Sequence, residues 1–380
     1  MRSRMLSLAG STLTAAVVAS ALLPVAAANA AASTPQVTDA AKDAFGRVAD
    51  NVLTDRTAVL LGSKAARTSL KPTGGVSLSA GRKKAEDGKL AALKGTRSRL
   101  SALGEAYTSA DTEVTVDSTV VKGKKATVEV TERTTLTYRK IRGDEPASTG
   151  FDAHHVLTFT APADGTWQLT AMRSTDGGAT RINDPLVAAA DARQSPAPMA
   201  VHDAPKAATS LPAPAAPKKL VGGTYDYQAM ASYTEKYWKT YNTEYRKYNA
   251  AGGDCTNYLS QGLLAGGWKQ ISTVTPEEYD TWYYASNGTA DAWIGVDEWS
   301  WFTQTAKRTT PLANVYQMDV GDVLQIDFNK DGSKDHSMMT TYRSASGVPY
   351  LTYHDADTYR RSIASIIASY PNSNYFAYRT

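Results

Sequence analysis

Gly253-Asp254-Cys255-Thr256-Asn257-Tyr258-Leu259-Ser260-Gln261 is the stretch on which the reading of this chain turns. It begins where a glycine-rich loop, Ala251-Gly252-Gly253, gives way to a helical pattern. Asp254 is a residue type that caps helices, and Thr256 and Asn257 are tolerated in a first turn. Tyr258, Leu259, Gly262 and Leu263 follow at helical spacing and would hold one face against a core. Cys255 therefore stands at a helix start. Unpaired amide hydrogens and the positive end of the helix dipole favour the thiolate there, which is the reactive form of the group. It is the one cysteine in 380 residues, so it makes no internal disulfide. A lone cysteine is more often buried and inert. The glycines before it, its polar neighbours and a histidine downstream reverse that preference here.

The length allows two domains, each able to bury a core. The formal charge of +4 is modest and spread out. No basic stripe with interleaved aromatics is present, which argues against a nucleic-acid partner. At the N-terminus, Met1-Arg2-Ser3-Arg4 is basic, Leu6 to Val25 is mostly apolar, and Ala28-Asn29-Ala30 is a small-x-small site. Together they read as a signal peptide over 1–30, cut after Ala30. A retained anchor is the weaker reading, because Pro24 and the close cleavage site speak against it. The mature chain is expected outside the cell, secreted or associated with the wall, with no membrane partner after cleavage and as a monomer.

From 31 to 175 the pattern is helix followed by an antiparallel meander. Helices are expected near Asp39–Leu61 and Leu90–Ala110. Alternating strands follow at 113–120, 126–138, 154–160 and 166–172. The expected shape is a small α+β domain with a curved antiparallel sheet. Residues 176–221 read as a linker, because Ala189 to Pro217 is dense in alanine and proline and cannot build a core. From Tyr225 the texture changes, and six of the seven tryptophans lie beyond it. A helix is expected over Tyr227–Tyr241. Strands are expected at 323–328, 336–342, 349–353 and 375–379. Helix first and sheet second, with cysteine on the helix and histidine on the sheet, is a papain-type α+β arrangement over 222–380.

Thiol catalysis needs a thiolate, a base that takes its proton and a group that orients the base. There are five histidines. His154 and His155 are adjacent, so on a strand they face opposite sides and read as ordinary strand residues. His202 lies in the linker. His336, at the start of a strand, is the expected base. His354 ends the next strand, and in an antiparallel hairpin it lies at the same end as His336. It is the preferred group to hold the His336 ring, with Asp355 and Asp357 as runners-up. The Cys255 amide with Tyr248, Asn249 or Asn257 would supply an oxyanion hole.

Asp327, Asn329, Asp331, Ser333 and Asp335, with Gly332 at the sixth position, match the spacing of a calcium loop. The twelfth position is Met338 rather than glutamate. Such runs also make ordinary hairpin turns. No cofactor is required by the chemistry. A structural calcium ion would act only by steadying the hairpin that delivers His336.

Residues 222–380 resemble the putative amidase domain family of secreted Gram-positive proteins, which is similar to papain-like cell-wall amidases. The resemblance rests on Tyr225-Asp226 with Tyr233 and Tyr237-Trp238, on Asp254-Cys255-Thr256-Asn257-Tyr258 with Ser260-Gln261 and Ala265-Gly266-Gly267, on Val320-Gly321-Asp322-Val323, and on Asp335-His336-Ser337 with the late His354. Where the family has an Asn-Pro-x-Tyr type approach, this chain has Asn242-Thr243-Glu244-Tyr245. The resemblance implies Cys255 as nucleophile, His336 as base and His354 as third member. It implies a cysteine-dependent amidase or peptidase acting on peptide or peptidoglycan-like substrates. A binding module on the same fold and an acyltransferase are the alternatives. For residues 31–200, a targeting module, an inhibitory pro-segment and a spacer stay open.

Overall fold

The computed structural model describes residues 38–62, 71–162, 166–185, 203–210, 217–249, 253–272 and 279–380. The expected signal peptide lies outside the described residues. Among the described residues no helix is long and apolar enough to cross a membrane.

The first helix, α1 (Asp39–Leu61), is capped by Thr38, whose hydroxyl accepts from the Ala41 amide, and ends at Gly62 with φ +74°. Phe45, Val48, Val52 and Leu53 are buried on one stripe, as the 3.6-residue period requires. A short strand β1 (Ser77–Leu78) precedes α2 (Ala80–Ala102). That helix begins ten residues before its expected start and ends eight earlier. Ser79 caps it, and the basic run after Ser79 forms its first turns. Tyr107 already belongs to the sheet. The meander is β2 (Tyr107–Lys122), β3 (Lys125–Tyr138), β4 (Ser148–Thr160) and β5 (Gln168–Ser174), paired in sequence and antiparallel. Phe45 and Val48 meet Val128, Leu157 and Phe159 beneath it.

The second half opens with α3 (Tyr227–Tyr237), capped by Asp226 and four residues shorter than its pattern suggests. α4 (Cys255–Ala265) follows, then the small hairpin β6 (Tyr284–Ala285) and β7 (Gly288–Thr289), then α5 (Asp291–Ile294), α6 (Val296–Thr305) and β8 (Thr310–Leu312). The sheet strands are β9 (Val323–Asp327), β10 (His336–Arg343), β11 (Pro349–Tyr353), β12 (Thr358–Ser362) and β13 (Asn374–Arg379), with α7 (Ile363–Ser369) before the last. β12 and α7 carry no strong pattern of their own. α7 is a helix of about two turns, started by the Ser362 hydroxyl accepting from the Ser365 amide.

All strands but the small hairpin form one mixed sheet of 11 strands, parallel only where β1 meets β5. Its path runs β1-β5-β4-β12-β11-β10-β9-β13-β8, with β2 reached through β3. The two stretches expected as separate domains therefore share a sheet through β4 and β12, where Thr358 pairs with Phe151. They also share a core cluster that takes Leu93 and Tyr107 from one and Tyr350 and Ala368 from the other. The Ala/Pro-rich stretch, expected as an extended linker, is packed where it is described. The Ala207 amide donates to the Tyr375 carbonyl at 2.7 Å, and Ala204 and Ala207 are buried. α3 and α4 lie on one face of β10, so the helix bearing Cys255 rests on the antiparallel strand bearing His336.

Candidate active site

Cys255 is the first residue of α4. Asp254 precedes it but its side chain does not cap the helix. One of its carboxylate oxygens accepts from the Tyr248 amide at 2.9 Å and the Asn257 amide group at 2.9 Å. The other faces His354. The cap comes instead from the β11–β12 turn. Asp355 Oδ2 accepts the amides of Asp254 at 2.6 Å and Cys255 at 2.9 Å. An anion at a helix start satisfies otherwise orphaned donors. Gly253, at φ +138°, makes room for it, since a Cβ there would collide with that carboxylate. Asp355 and Ala356 themselves sit at φ +58° and +95°. Left-handed non-glycine residues cost about 1–3 kcal/mol each and concentrate at functional sites.

The structure brings three chemically active groups together. One donor atom each from Cys255, His336 and Asp355 lies within 4.8 Å of the others, and all three residues are buried. Register explains the third. Met339 pairs with Thr352 across β10 and β11, and continuing that count places position 355 opposite 336.

His354 does not take the role expected of it. Its Nδ1 faces Asp254 Oδ2 at 2.8 Å and its Nε2 faces the Tyr237 carbonyl at 2.9 Å. Its ring is stacked between Tyr258 and Tyr241. With both nitrogens engaged it cannot hold the His336 ring, and it ties the end of α3 to the start of α4 instead. The expected oxyanion-hole candidates are also committed. Asn257 donates to the Arg246 carbonyl and accepts from Trp293, Tyr248 donates to Thr289, and Asn249 donates to Tyr241.

Neither ring nitrogen of His336 has a hydrogen-bond partner among the described residues, and Asp355 Oδ1 is likewise buried without one. The His336 ring stands edge-on to Tyr353. Burial holds its pKa down to about 3, helped by the charge of Arg361. Burial pushes the Cys255 thiol up to about 12, and the Asp355 charge adds to this. Burial also raises Asp355 to about 6, with Asp254 contributing. Burial opposes the charging of His354, but the Asp254 hydrogen bond and the charges of Asp357 and Asp254 outweigh it, so its pKa is raised. The resting site thus holds a neutral thiol beside a neutral imidazole.

The calcium-loop residues form a hairpin turn. Asp327 accepts the Lys330 and Gly332 amides, Asp331 accepts the Ser333 amide, and Asp335 accepts the Phe328 amide at 2.7 Å. Asn329 and Asp331 bond to each other, and the Ser333 hydroxyl donates to Asp297. The loop's three carboxylates do not gather into a metal-binding group. Among the described residues that proximity occurs at Cys255, His336 and Asp355. These are ligand types that zinc accepts. His154 and His155 behave as the alternation predicts. The first is half exposed beside Asp176, and the second is buried against Glu132.

Residues 224–378 match the family model described as the putative amidase domain. An uncharacterized protein of Bacillus subtilis (strain 168), YhbB, is 24% identical over 154 residues, a match that covers 37% of this chain and 48% of that protein. The chain thus spans about half the length of the curated relative it matches. The crystal structure of the intermembrane space region of the chloroplast protein ARC6 aligns at a TM-score of 0.22 and 18% identity, over 34% of this chain and 95% of that one. A likeness at that level carries no argument.

Proposed function

We propose that the chain is an exported cysteine-dependent amidase or peptidase in which Cys255 is the nucleophile and His336 the base. The observation that carries this reading is the meeting of a helix-start thiol with a buried imidazole that has no hydrogen-bond partner among the described residues. In the proposed cycle, Sγ attacks the amide carbonyl carbon while His336 takes the thiol proton. The oxyanion sits by the Cys255 amide once Asp355 has left it. The amine departs with the proton from His336, leaving a Cys255 thioester. Water then gives a proton to His336 and attacks the thioester. The acid leaves and the thiol returns. Asp355 takes the third role in place of His354, stabilising the imidazolium from across the hairpin.

Peptide stems of the cell wall are the proposed substrate. One expectation from the sequence and one observation support this. The expected export signal would bring the protein to the wall. Tyr233, Tyr237, Trp238, Tyr241 and Tyr248, on the approach to Cys255, are partly exposed. The other tryptophans are less suited to that purpose, since Trp268, Trp282, Trp293 and Trp299 are fully buried. Muropeptides digested with the full chain and read by mass spectrometry test the proposal. Cleavage of an amide, lost in Cys255→Ala and in His336→Leu, supports it. No cleavage by a preparation whose thiol reacts freely with iodoacetamide overturns it. The binding-module reading draws on the burial of Cys255, 5% exposed. That reading predicts muropeptide binding without turnover.

A further inference from the structure

A site meant to receive an amide is here closed, and the segment that closes it comes from the other half of the chain. After β5 the backbone runs through Thr175–Asp184 to the mouth of the site. Gly178, at φ +67°, lies so close that a Cβ there would stand 2.8 Å from His336 Nδ1 and 3.0 Å from Asp355 Cβ. Its outer side faces solvent, so the cover is one residue thick. Ala179 beside it is buried with Tyr353 and Ala356. Only a residue without a side chain fits between solvent and the imidazole at this point.

The segment is clamped at both ends. On one side the Thr175 amide bonds to the His154 carbonyl at 3.0 Å, and Asp176 is shared by the His154 ring and Arg181. On the other, Asn183 donates to Glu132 at 2.6 Å and Thr57 at 3.0 Å, and Asp184 accepts from Arg56 at 3.1 Å and from Lys89. In the middle, the Thr180 carbonyl accepts from Tyr370 at 2.8 Å and Arg361 at 3.2 Å. Beyond the Thr175 amide, which extends the pairing of β5 with β4 by one bond, the clamps are side-chain bonds and not strand pairing. Such a segment can open without unfolding the sheet beneath it.

We propose that Thr175–Asp184 is an autoinhibitory strap that seals the Cys255–His336 pair, so that the protein is made in a latent form and acts when the strap is withdrawn. The proposal rests on the functional reading above for what is released, and not for the sealing itself. The neutral thiol and imidazole are what a sealed site produces, because the charged pair needs solvent or a partner that the strap excludes.

The experiment is iodoacetamide labelling of Cys255 in the full native chain across pH 5–9, followed by mass spectrometry. Wild type is expected to label slowly. Gly178→Ala adds a methyl where none fits and should speed labelling by about ten- to a hundredfold. Asn183→Ala/Asp184→Ala, which frees the far clamp, should do the same. Circular dichroism and the melting curve guard against unfolding. If one variant fails to fold, labelling of wild type in urea below its transition still reports strap opening. A wild-type thiol that labels as fast as a small free thiol overturns the strap, whatever the enzyme does. So does labelling in both folded variants that stays at the wild-type rate. Fast labelling in an opened variant that shows an ordinary thiol pH profile, unchanged by His336→Leu, sustains the strap and overturns the amidase reading.

Discussion

Two buried histidines in this molecule look alike by burial and differ in every other respect. His155, on β4, is 2% exposed and its Nε2 meets Glu132 at 3.0 Å. Glu132 is itself held by Thr134 and Asn183, so both its carboxylate oxygens are bonded. His336, on β10, is 0% exposed, and among the described residues neither of its nitrogens has a hydrogen-bond partner. A buried polar group is normally satisfied, and leaving one unpaired costs about 1–3 kcal/mol. The first cluster is what a stable sheet does with a histidine. The second keeps an imidazole bare beside a thiol, and the native fold carries the penalty.

The largest effects should separate these two residues by activity. Cys255→Ser and His336→Leu are each expected to lower amide cleavage by on the order of 10³-fold or more. His155→Leu should leave the chemistry of any folded protein untouched. Turnover assays on the three variants in a Gly178→Ala background, where the proposed strap is open, check this, and an undiminished rate with His336→Leu would break the comparison at its root.

Stability should reverse the order. His155→Leu strips Glu132 of its buried partner and is expected to destabilise by about 3 kcal/mol. His336→Leu loses no hydrogen bond and should be neutral or stabilising. His354→Leu should side with His155, because it removes the partner of the buried Asp254 Oδ2 at the start of α4. Urea denaturation of the three proteins measures the contrast.

The pH dependence sharpens it further. Burial raises the folded pKa of Asp355 to about 6 from the ordinary 3.8, so its contribution is full below 3.8 and is lost as pH rises to about 6. His336 has a folded pKa of about 3 against 6.5, so its contribution is full above 6.5 and is lost as pH falls toward 3. Between about pH 4 and 6 the two cancel: the unfolded chain carries the proton on His336 and the folded chain carries it on Asp355. Asp355→Asn should therefore gain stability over wild type as pH rises through that window. His336→Leu should lose stability relative to wild type over the same window. Each slope is at most about 1.4 kcal/mol per pH unit. Matching slopes in the two variants would show that the groups do not titrate as a pair.

The smallest effect is expected from calcium chelation. The carboxylates of Asp327, Asp331 and Asp335 already accept backbone amides in the turn, so EGTA should leave the melting temperature unchanged. A lowered melting temperature would restore the calcium reading of that loop.

The sequence by itself determined the local elements and the expectation that a helix-start Cys255 and a strand-borne His336 come together. The stripe of Phe45, Val48, Val52 and Leu53 marked α1 to its ends, and alternation marked β2 to β5. The glycine-rich lead-in placed Cys255 at a helix start, and the elimination of other histidines left His336 and His354, of which His336 opens a strand. These are short-range signals, written in neighbouring residues. The third member of the site was not legible in that way. His354 and Asp355 are adjacent, and the register of β10 on β11 and the left-handed turn decide which of them faces His336 and which is absorbed between Tyr241 and Tyr258. The joining of β4 to β12, and the placing of Gly178 over His336, depend on residues more than a hundred positions apart. Only tertiary structure brings such residues together, because closing those loops is repaid by a shared core and a shared sheet rather than by any local preference.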